Sequence, residues 1–147
     1  MAKRKGYEFR SHTADVELAA RGKTIEEAFS NAVLAMFDTS ADIAALEKSK
    51  GKAKRLKVRG RAATLEDLLW AILQDILSLA DAEGVYGYKV RTIKIAGEEG
   101  SYKADLEFLA KEQDQKYSVI YVKGVSRYRL RAAKKGNGFI AGAVLDV

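Results

Sequence analysis

The sequence predicts one α+β domain over residues 1–147, with an antiparallel or mixed β-sheet packed against two main helices. Two segments have apolar residues at the 3.6-residue spacing of amphipathic helices, and most other segments alternate with period two. The predicted strands follow one another without a regular strand–helix–strand repeat, which favours an antiparallel sheet backed by helices. At 147 residues the chain is near the commonest domain size, so one core is sufficient.

The N-terminal part alternates and then becomes helical. Residues 7–9 and 16–20 predict two strands, and residues 11–15 between them predict a polar loop. Thr24 opens a capping box, in which a threonine hydroxyl and a glutamate three residues later satisfy free N–H groups of the first turn. The apolar residues that follow predict an amphipathic helix ending near Phe37.

The middle of the chain contains the more apolar of the two helices. Residues 40–54 hold a short apolar patch at residues 43–46, followed by a charged, glycine-containing stretch at residues 47–52. This stretch predicts an exposed loop before a strand that begins at Leu56. A second helix is predicted from Thr64 to Gly84. Its apolar stripe is wide, which places it at the centre of the core.

The C-terminal part has the period of strands throughout. Its predicted strands are residues 88–96, 102–110, 117–125, 127–133 and 139–147. Short stretches rich in glycine and charged residues separate most of these segments and predict hairpin turns.

Composition excludes several classes of site. The chain has no cysteine, which rules out disulfides, zinc–thiolate sites, iron–sulfur clusters and cysteine nucleophiles. Its single histidine, His12, rules out a two-histidine metal site, and no serine lies in a G-x-S-x-G elbow. The basic N-terminal residues are not followed by an apolar stretch, so we expect a cytoplasmic protein without a membrane anchor. The formal charge of +6 favours a polyanion or an acidic protein as partner.

Polar residues near the two ends of the sequence are the candidates for chemistry. His12 and Asp15 lie in the predicted loop, and Asp146 interrupts an apolar strand. His12 is either a turn cap or a functional group, and Asp146 either faces solvent or meets Asp15. If the two aspartates converge, they form an all-oxygen site for a divalent cation with the main-chain or carboxylate oxygens of Val147.

Cations in the later strands are a second set of candidates. Lys123 lies in an apolar segment, where its ammonium group either reaches the surface or pairs with Asp15 or Asp146. Three arginines alternate along the next predicted strand and would share one face: Arg127, Arg129 and Arg131. This row is either solvated or faces an anion such as RNA. Because no aromatic residue shares the predicted face, we expect that the row does not read RNA bases.

Several segments, in order, resemble the archease family, and together they cover nearly the whole chain. They are Tyr7, the Ser-His-Thr-Ala-Asp-Val sequence of residues 11–16, Gly22 with the Thr24 helix and its Ala-Met-Phe at 35–37, Leu68-Leu69, Val-Lys-Gly-Val at 122–125 and Val-Leu-Asp-Val at 144–147. The most specific parts are the His-Thr-Ala-Asp loop, the lysine-bearing segment and the final aspartate.

The resemblance implies a non-catalytic accessory protein. Members of this family are expected to activate the RtcB-type tRNA-splicing ligase by promoting guanylylation of its active-site histidine, and to meet RNA through the ligase. Asp15, Lys123 and Asp146 occupy the functional positions of the family. The resemblance also implies a calcium-type ion, with Mg²⁺ or Mn²⁺ as alternatives, held by the two aspartates and the main chain of Val147. His12 is a further polar residue of the loop.

Three positions depart from the family pattern, and two other functions are open. Ser11 replaces an aspartate, Glu17 lies near the place of a glycine, and Tyr128 replaces a histidine. These changes leave the functional positions intact but affect the surface expected to face the ligase. One alternative is a general protein chaperone. The other is an RNA-binding module that uses the arginine row with Lys54, Arg55, Lys57 and Arg59.

Overall fold

The computed structural model describes residues 3–4, 6–12 and 15–147. Its elements, in chain order, are β1 (Lys3–Arg4), β2 (Tyr7–His12), β3 (Asp15–Gly22), α1 (Ile25–Ser40), α2 (Ile43–Lys48), β4 (Lys54–Ala62), α3 (Leu65–Glu83), β5 (Val85–Glu98), β6 (Ser101–Glu112), a 3₁₀ turn (Gln115–Tyr117), β7 (Gly124–Val125), β8 (Arg131–Lys135) and β9 (Gly138–Asp146). The predicted α+β class is confirmed. In these ranges, no helix has the length and hydropathy needed to cross a bilayer.

The described strands form two antiparallel sheets, whereas the sequence predicted one. The larger sheet has the order β1-β2-β3-β9-β7, and β8 also pairs with β9. The smaller has the order β4-β6-β5, in which the long β5–β6 hairpin pairs with β4 rather than with the N-terminal strands. Helix α1 packs on β3, β5 and β9, and α3 packs mainly on β4, so the two helices join both sheets in one core.

The two long helices follow their sequence signals closely. Helix α3 begins where the Asp67 N–H donates to Thr64 Oγ1 (3.1 Å), and it ends at Gly84, which adopts φ +64°. Six residues of α3 are buried: Leu68, Leu69, Ile72, Leu73, Ile76 and Leu77. Burial of each of these side chains stabilises the fold by about 1.5–3 kcal/mol relative to exposure. Helix α1 continues to Ser40, three residues beyond its predicted end.

The exposed loop predicted over residues 47–52 begins later than expected, because α2 covers the apolar patch at residues 43–46 and continues to Lys48. Residues 50–52 are exposed and lie outside any helix or strand, as predicted. Asp42 caps this helix by accepting the Ala45 N–H (3.1 Å). At the other end, the buried Lys111 ammonium donates to the carbonyl oxygens of Leu46 (2.6 Å) and Ser49 (3.0 Å). A six-residue helix contains fewer than two turns, so its hydrophobic pattern is too short to be distinguished from a loop.

The expectation of two continuous strands over residues 117–133 is also wrong. Residues 118–123 have no place in a sheet ladder, and only β7 and β8 are strands. Both pair with β9, and residues 126–130 project out of the ladder between them. Arg129 adopts φ +61° in this projection. Such a conformation is uncommon for residues other than glycine, so the sequence gives little warning of it.

Candidate functional site

Asp15 and Asp146 face each other across adjacent strands. Asp15 begins β3, Asp146 ends β9, and the two are register partners. The next register pair, Val16 with Leu145, packs into the core, so the two aspartates lie on the opposite, outer face of the sheet. The Cβ atoms of directly opposed residues are about 4.5–5.5 Å apart, and like charges in such a pair are destabilising. We call these two residues the acidic pair.

Lys123 lies beside the acidic pair but does not neutralise it. Its main-chain N–H donates to the carbonyl oxygen of Asp146 (2.7 Å), and the next residue, Gly124, is the register partner of Asp146. The Lys123 side chain is exposed, and no described carboxylate lies within 4.0 Å of its ammonium group. The predicted mid-strand position in an apolar environment is therefore wrong, because the segment leading to Lys123 runs over the surface.

The remaining predicted ligands are only partly described. The backbone of His12 is the register partner of Asp15, whereas the His12 side chain, Thr13 and Ala14 lie outside the described residues. Val147 follows Asp146 directly and is half-buried. Among the described residues, no three His, Cys, Asp or Glu are grouped so that they could hold a metal ion. The donors that the chain offers here are thus two carboxylates and main-chain oxygens, a hard but incomplete set that fits Ca²⁺ or Mg²⁺ better than a soft metal.

Helix α3 fixes the position of β7, and with it the position of Lys123. The Trp70 Nε1–H donates to the Val125 carbonyl oxygen (2.7 Å), and the Gln74 Oε1 accepts the Val125 N–H (3.0 Å). A two-residue strand has few ladder bonds of its own, so these two side chains hold it in place. Sequence analysis missed Trp70 and Gln74. The available signal was a tryptophan and a glutamine one turn apart along the margin of an apolar stripe.

The predicted row of three arginines on one strand face does not exist. Arg127 stacks on Trp70, with its guanidinium 3.8 Å from the ring centroid, and lies 3.5 Å from the Asp67 carboxylate. Arg129 lies in the projecting turn, and only Arg131 belongs to a strand. The argument that no aromatic residue accompanies these arginines is therefore wrong as well.

Two of the departures from the family pattern contact each other through Arg129. The guanidinium lies 5.1 Å from the centroid of the Tyr128 ring, and its Nη1 lies 3.6 Å from Oε1 of the buried Glu17. Hydrogen bonding to Tyr128, followed by the charges of Tyr128 and Glu17, raises the pKa of Arg129. Glu17 and Tyr128 are thus two parts of one local arrangement on the outer face of the sheet.

An exposed apolar segment leads to Lys123. Val119, Ile120 and Tyr121 are 56%, 42% and 65% exposed. The segment is anchored by the Val119 N–H, which donates to the Ser40 carbonyl oxygen (2.9 Å). The Tyr121 hydroxyl donates to Asp81 Oδ2 (3.2 Å), and this hydrogen bond, with the Asp81 charge, raises the pKa of Tyr121. Contiguous exposed apolar side chains of this kind are typical of protein-binding surfaces.

Known proteins with the same sequence pattern share a family name. The model of the archease protein family matches residues 7–147. The chain is 34% identical to the archease of Methanosarcina mazei over 149 aligned positions, which cover 97% of each chain. It is 36% identical to the archease of Pyrococcus furiosus over 98 positions, which cover 65% of this chain and 64% of the other.

Solved structures agree with these sequence comparisons. The solution structure of a Methanobacterium thermoautotrophicum protein matches with a TM-score of 0.81 and 25% identity, covering 98% of this chain and 100% of the other. The crystal structure of an archease from Thermotoga maritima, described as a possible chaperone, matches with a TM-score of 0.57 and 17% identity. That match covers 100% of this chain and 98% of the other, and at this identity it shows the fold alone.

Proposed function

The chain belongs to the archease family, and we propose that it is a non-catalytic activator of an RtcB-type tRNA-splicing ligase. In this role it promotes guanylylation of the ligase, and therefore repeated turnover in tRNA ligation, while the ligase alone joins the RNA. The observation that best supports the proposal is the register pairing of Asp15 with Asp146 beside the exposed Lys123.

The acidic pair is the proposed cation site. Two carboxylates directly opposite each other repel, and neither is paired with a described lysine or arginine within 4.0 Å. Asp15, Asp146 and the main-chain oxygen of Val147 would hold the ion. We favour Ca²⁺ over Mg²⁺ and Mn²⁺, because calcium accepts irregular arrangements of about 6–8 oxygen ligands, whereas Mg²⁺ requires a near-ideal octahedron.

The incomplete ligand set gives the site its proposed role. Two carboxylates and one main-chain oxygen leave coordination positions that water or a group of another protein must fill. When bound, the cation would supply positive charge to phosphate or carboxylate oxygens of the ligase. Asp146 is exposed at the end of β9, so the pair can approach a partner's surface. Asp15 and Asp146 therefore act both in holding the strand ends together and in meeting the ligase.

The surface beside the acidic pair is suited to docking on a protein. Residues 119–121 expose apolar side chains, and Lys123 follows two residues later, at most about 7 Å of extended chain beyond Tyr121. The Lys123 ammonium has no described intramolecular partner, so it remains available for a carboxylate or phosphate of the ligase complex. An apolar contact with charged groups at its margin is the usual composition of a protein interface.

A turnover assay of the ligase tests this function. Wild-type protein should raise the number of RNA molecules joined per ligase and the fraction of guanylylated ligase, and Asp146→Asn should do neither. The matched control is Asp75→Asn, which removes an exposed carboxylate from α3 and should stimulate like the wild type. Equal stimulation by Asp146→Asn would contradict the proposed site, and no stimulation by the wild type would contradict the function. A general chaperone would instead protect unrelated unfolded proteins irrespective of Asp146.

A further inference from the structure

The outer face of the three-stranded sheet carries far more positive than negative charge. Seven cations are placed there by register and burial: Arg55, Lys57, Arg59, Arg61, Lys89, Lys94 and Lys103. The eighth, Arg91, lies in a β-bulge and is placed there by its ion pair with Glu107. All eight are exposed, and the only carboxylates among their register partners are Asp105 and Glu107. We call these eight residues the basic face.

Most of this charge has no ion-pair partner in the part of the chain that the structure describes. Three of the cations form ion pairs, namely Arg59 with Asp105 (2.9 Å), Arg91 with Glu107 (2.8 Å) and Lys89 with Glu47 (3.4 Å). The other five have no described carboxylate within 4.0 Å: Arg55, Lys57, Arg61, Lys94 and Lys103. Arg61 and Lys103 are direct register partners, an arrangement of like charges that is destabilising.

Protection of a sheet edge does not account for this pattern. Strands β4 and β5 are the edges of the sheet, and charges of either sign would discourage pairing with another chain. Here the same sign recurs on all three strands, so self-repulsion opposes folding. Helix α2 covers only one end of this face, where Leu46 packs near Tyr88 and Leu109. The rest of the basic face is open.

The composition of the basic face selects one class of polyanion. Among the residues whose burial is described, the exposed large apolar ones are Val119, Ile120, Tyr121 and Tyr128. None of them lies on this sheet, so the apolar centre of a protein interface is missing from the basic face. No exposed aromatic ring is available here for stacking unpaired bases. What remains is a row from Arg55 to Arg61 about 20 Å long, with side chains on one face every ~6.6 Å. This spacing suits repeated contacts with phosphates.

We propose that the basic face binds the phosphate backbone of duplex RNA without reading its sequence. The choice of RNA rather than DNA rests on the proposed function. The choice of a polyanion rests on the charge pattern alone and is independent of that function. The basic face belongs to the three-stranded sheet, and the acidic pair belongs to the six-stranded sheet. One molecule therefore has separate residues for the duplex and for the ligase.

Binding of a labelled RNA duplex to the isolated protein tests the proposal, since no ligase is needed. The variant is the triple replacement Lys57→Gln, Lys94→Gln and Lys103→Gln, which removes one unpaired lysine from each strand of the face. It should weaken binding at low salt about ten-fold or more and reduce the slope of log K against log salt by about 3. The control triple, Lys23→Gln, Lys134→Gln and Lys135→Gln, removes the same charge elsewhere and should change the affinity less than about two-fold.

Further measurements separate the outcomes. Replacing the same three lysines of the basic face by arginine should preserve binding, and thermal melting should show that all variants fold. Equal weakening by both glutamine triples, tighter binding of single-stranded RNA, or binding of poly-glutamate in place of RNA would each overturn the proposal. Because the ligase is absent from the measurement, a failure of ligase activation leaves this result unaffected, and the reverse also holds.

Discussion

The two sheets both place like charges opposite each other, but they do so in different geometries. In the six-stranded sheet, Asp15 and Asp146 bring two carboxylates to one point at the strand ends. In the three-stranded sheet, unpaired cations are spread over three strands, with Arg61 opposite Lys103. A single point of negative charge suits one ion, whereas a distributed positive face suits an extended polyanion. The spatial arrangement of the unpaired charges thus indicates the kind of partner better than the number of charges does.

The two regions also depend differently on the rest of the fold. The basic face rests on long antiparallel pairings among three strands, which are continuous between β4 and β6 and interrupted by two register shifts between β5 and β6. The surroundings of the acidic pair include β7, which Trp70 and Gln74 attach to α3. Substitutions of Trp70 or Gln74 on the surface of α3 should therefore reduce the proposed ligase activation and leave the proposed RNA binding intact.

The largest expected effect follows from Asp146→Asn. Removal of a ligand should weaken the cation site by about 10–100-fold or more, and ligase stimulation should fall with it. Calcium at 100 times its dissociation constant should stabilise the wild type by about 2.7 kcal/mol, and the variant much less. When a chelator removes calcium, Asp146→Asn should instead be more stable than the wild type. The variant lacks the repulsion between the two carboxylates, which is worth about 0.2–1 kcal/mol. Thermal melting with and without calcium measures both; equal calcium stabilisation of the two proteins would count against the site.

Lys123→Met should separate activation from stability. The side chain is exposed and unpaired among the described residues, so its replacement should change the free energy of unfolding by less than about 0.5 kcal/mol. Ligase guanylylation should nevertheless lose most of its acceleration, because the ammonium contact with the complex is absent. Melting temperature and guanylylation rate are measured on one preparation. Full acceleration by the variant would remove Lys123 from the proposed interface.

Trp70→Phe should destabilise the protein by about 1–2 kcal/mol. The variant leaves the Val125 carbonyl oxygen without its donor and weakens the stacking of Arg127. Urea denaturation measures the loss. The control Arg127→Gln removes the stacked cation and its exposed ion pair with Asp67 but keeps the Trp70 hydrogen bond, so it should cost less. Duplex RNA binding should be unchanged in both variants. A loss of RNA binding in Trp70→Phe would show that the two regions are not independent.

The smallest expected effect is a gain in stability from Arg61→Gln. This change removes the repulsion between Arg61 and Lys103 and should stabilise the protein by about 0.2–1 kcal/mol at low salt. The gain should shrink as salt is added, because exposed charges are screened. The control is Arg59→Gln, which breaks the ion pair with Asp105 and should give no gain. Denaturation curves at low and high salt compare the two.

The long helices could be predicted because their signals are local. The Thr64 cap, the wide apolar stripe and Gly84 at the end of α3 all lie within one segment, and they agree. Strands β5 and β6 were equally predictable, because they form a hairpin of adjacent segments. The division of the strands between two sheets was not predictable, since it depends on which distant segment each strand meets.

Residues 117–130 show why alternation alone is insufficient. The segment has apolar residues at strand-like spacing, but Val119 and Tyr121 remain exposed, and the Val119 N–H donates to Ser40 rather than to a ladder partner. The convergence of Asp15 with Asp146 also depends on register between distant strands. The residues alone left this convergence as one of two alternatives, and the resemblance to a family favoured it. The role of Trp70 could not be predicted from the sequence, because it holds β7, a short strand that the sequence did not reveal.

The pairing of β3 with β9 joins the beginning and the end of the sequence across all the other long elements. Contacts between such distant segments raise the contact order, and their loop-closure entropy makes them slow to form. Until β9 arrives, β3 has an open edge that can pair with another chain. A cation held by Asp15 and Asp146 can bridge only the completed pair. If this pair forms after the folding transition state, calcium should slow unfolding and leave the folding rate nearly unchanged, which stopped-flow kinetics would measure.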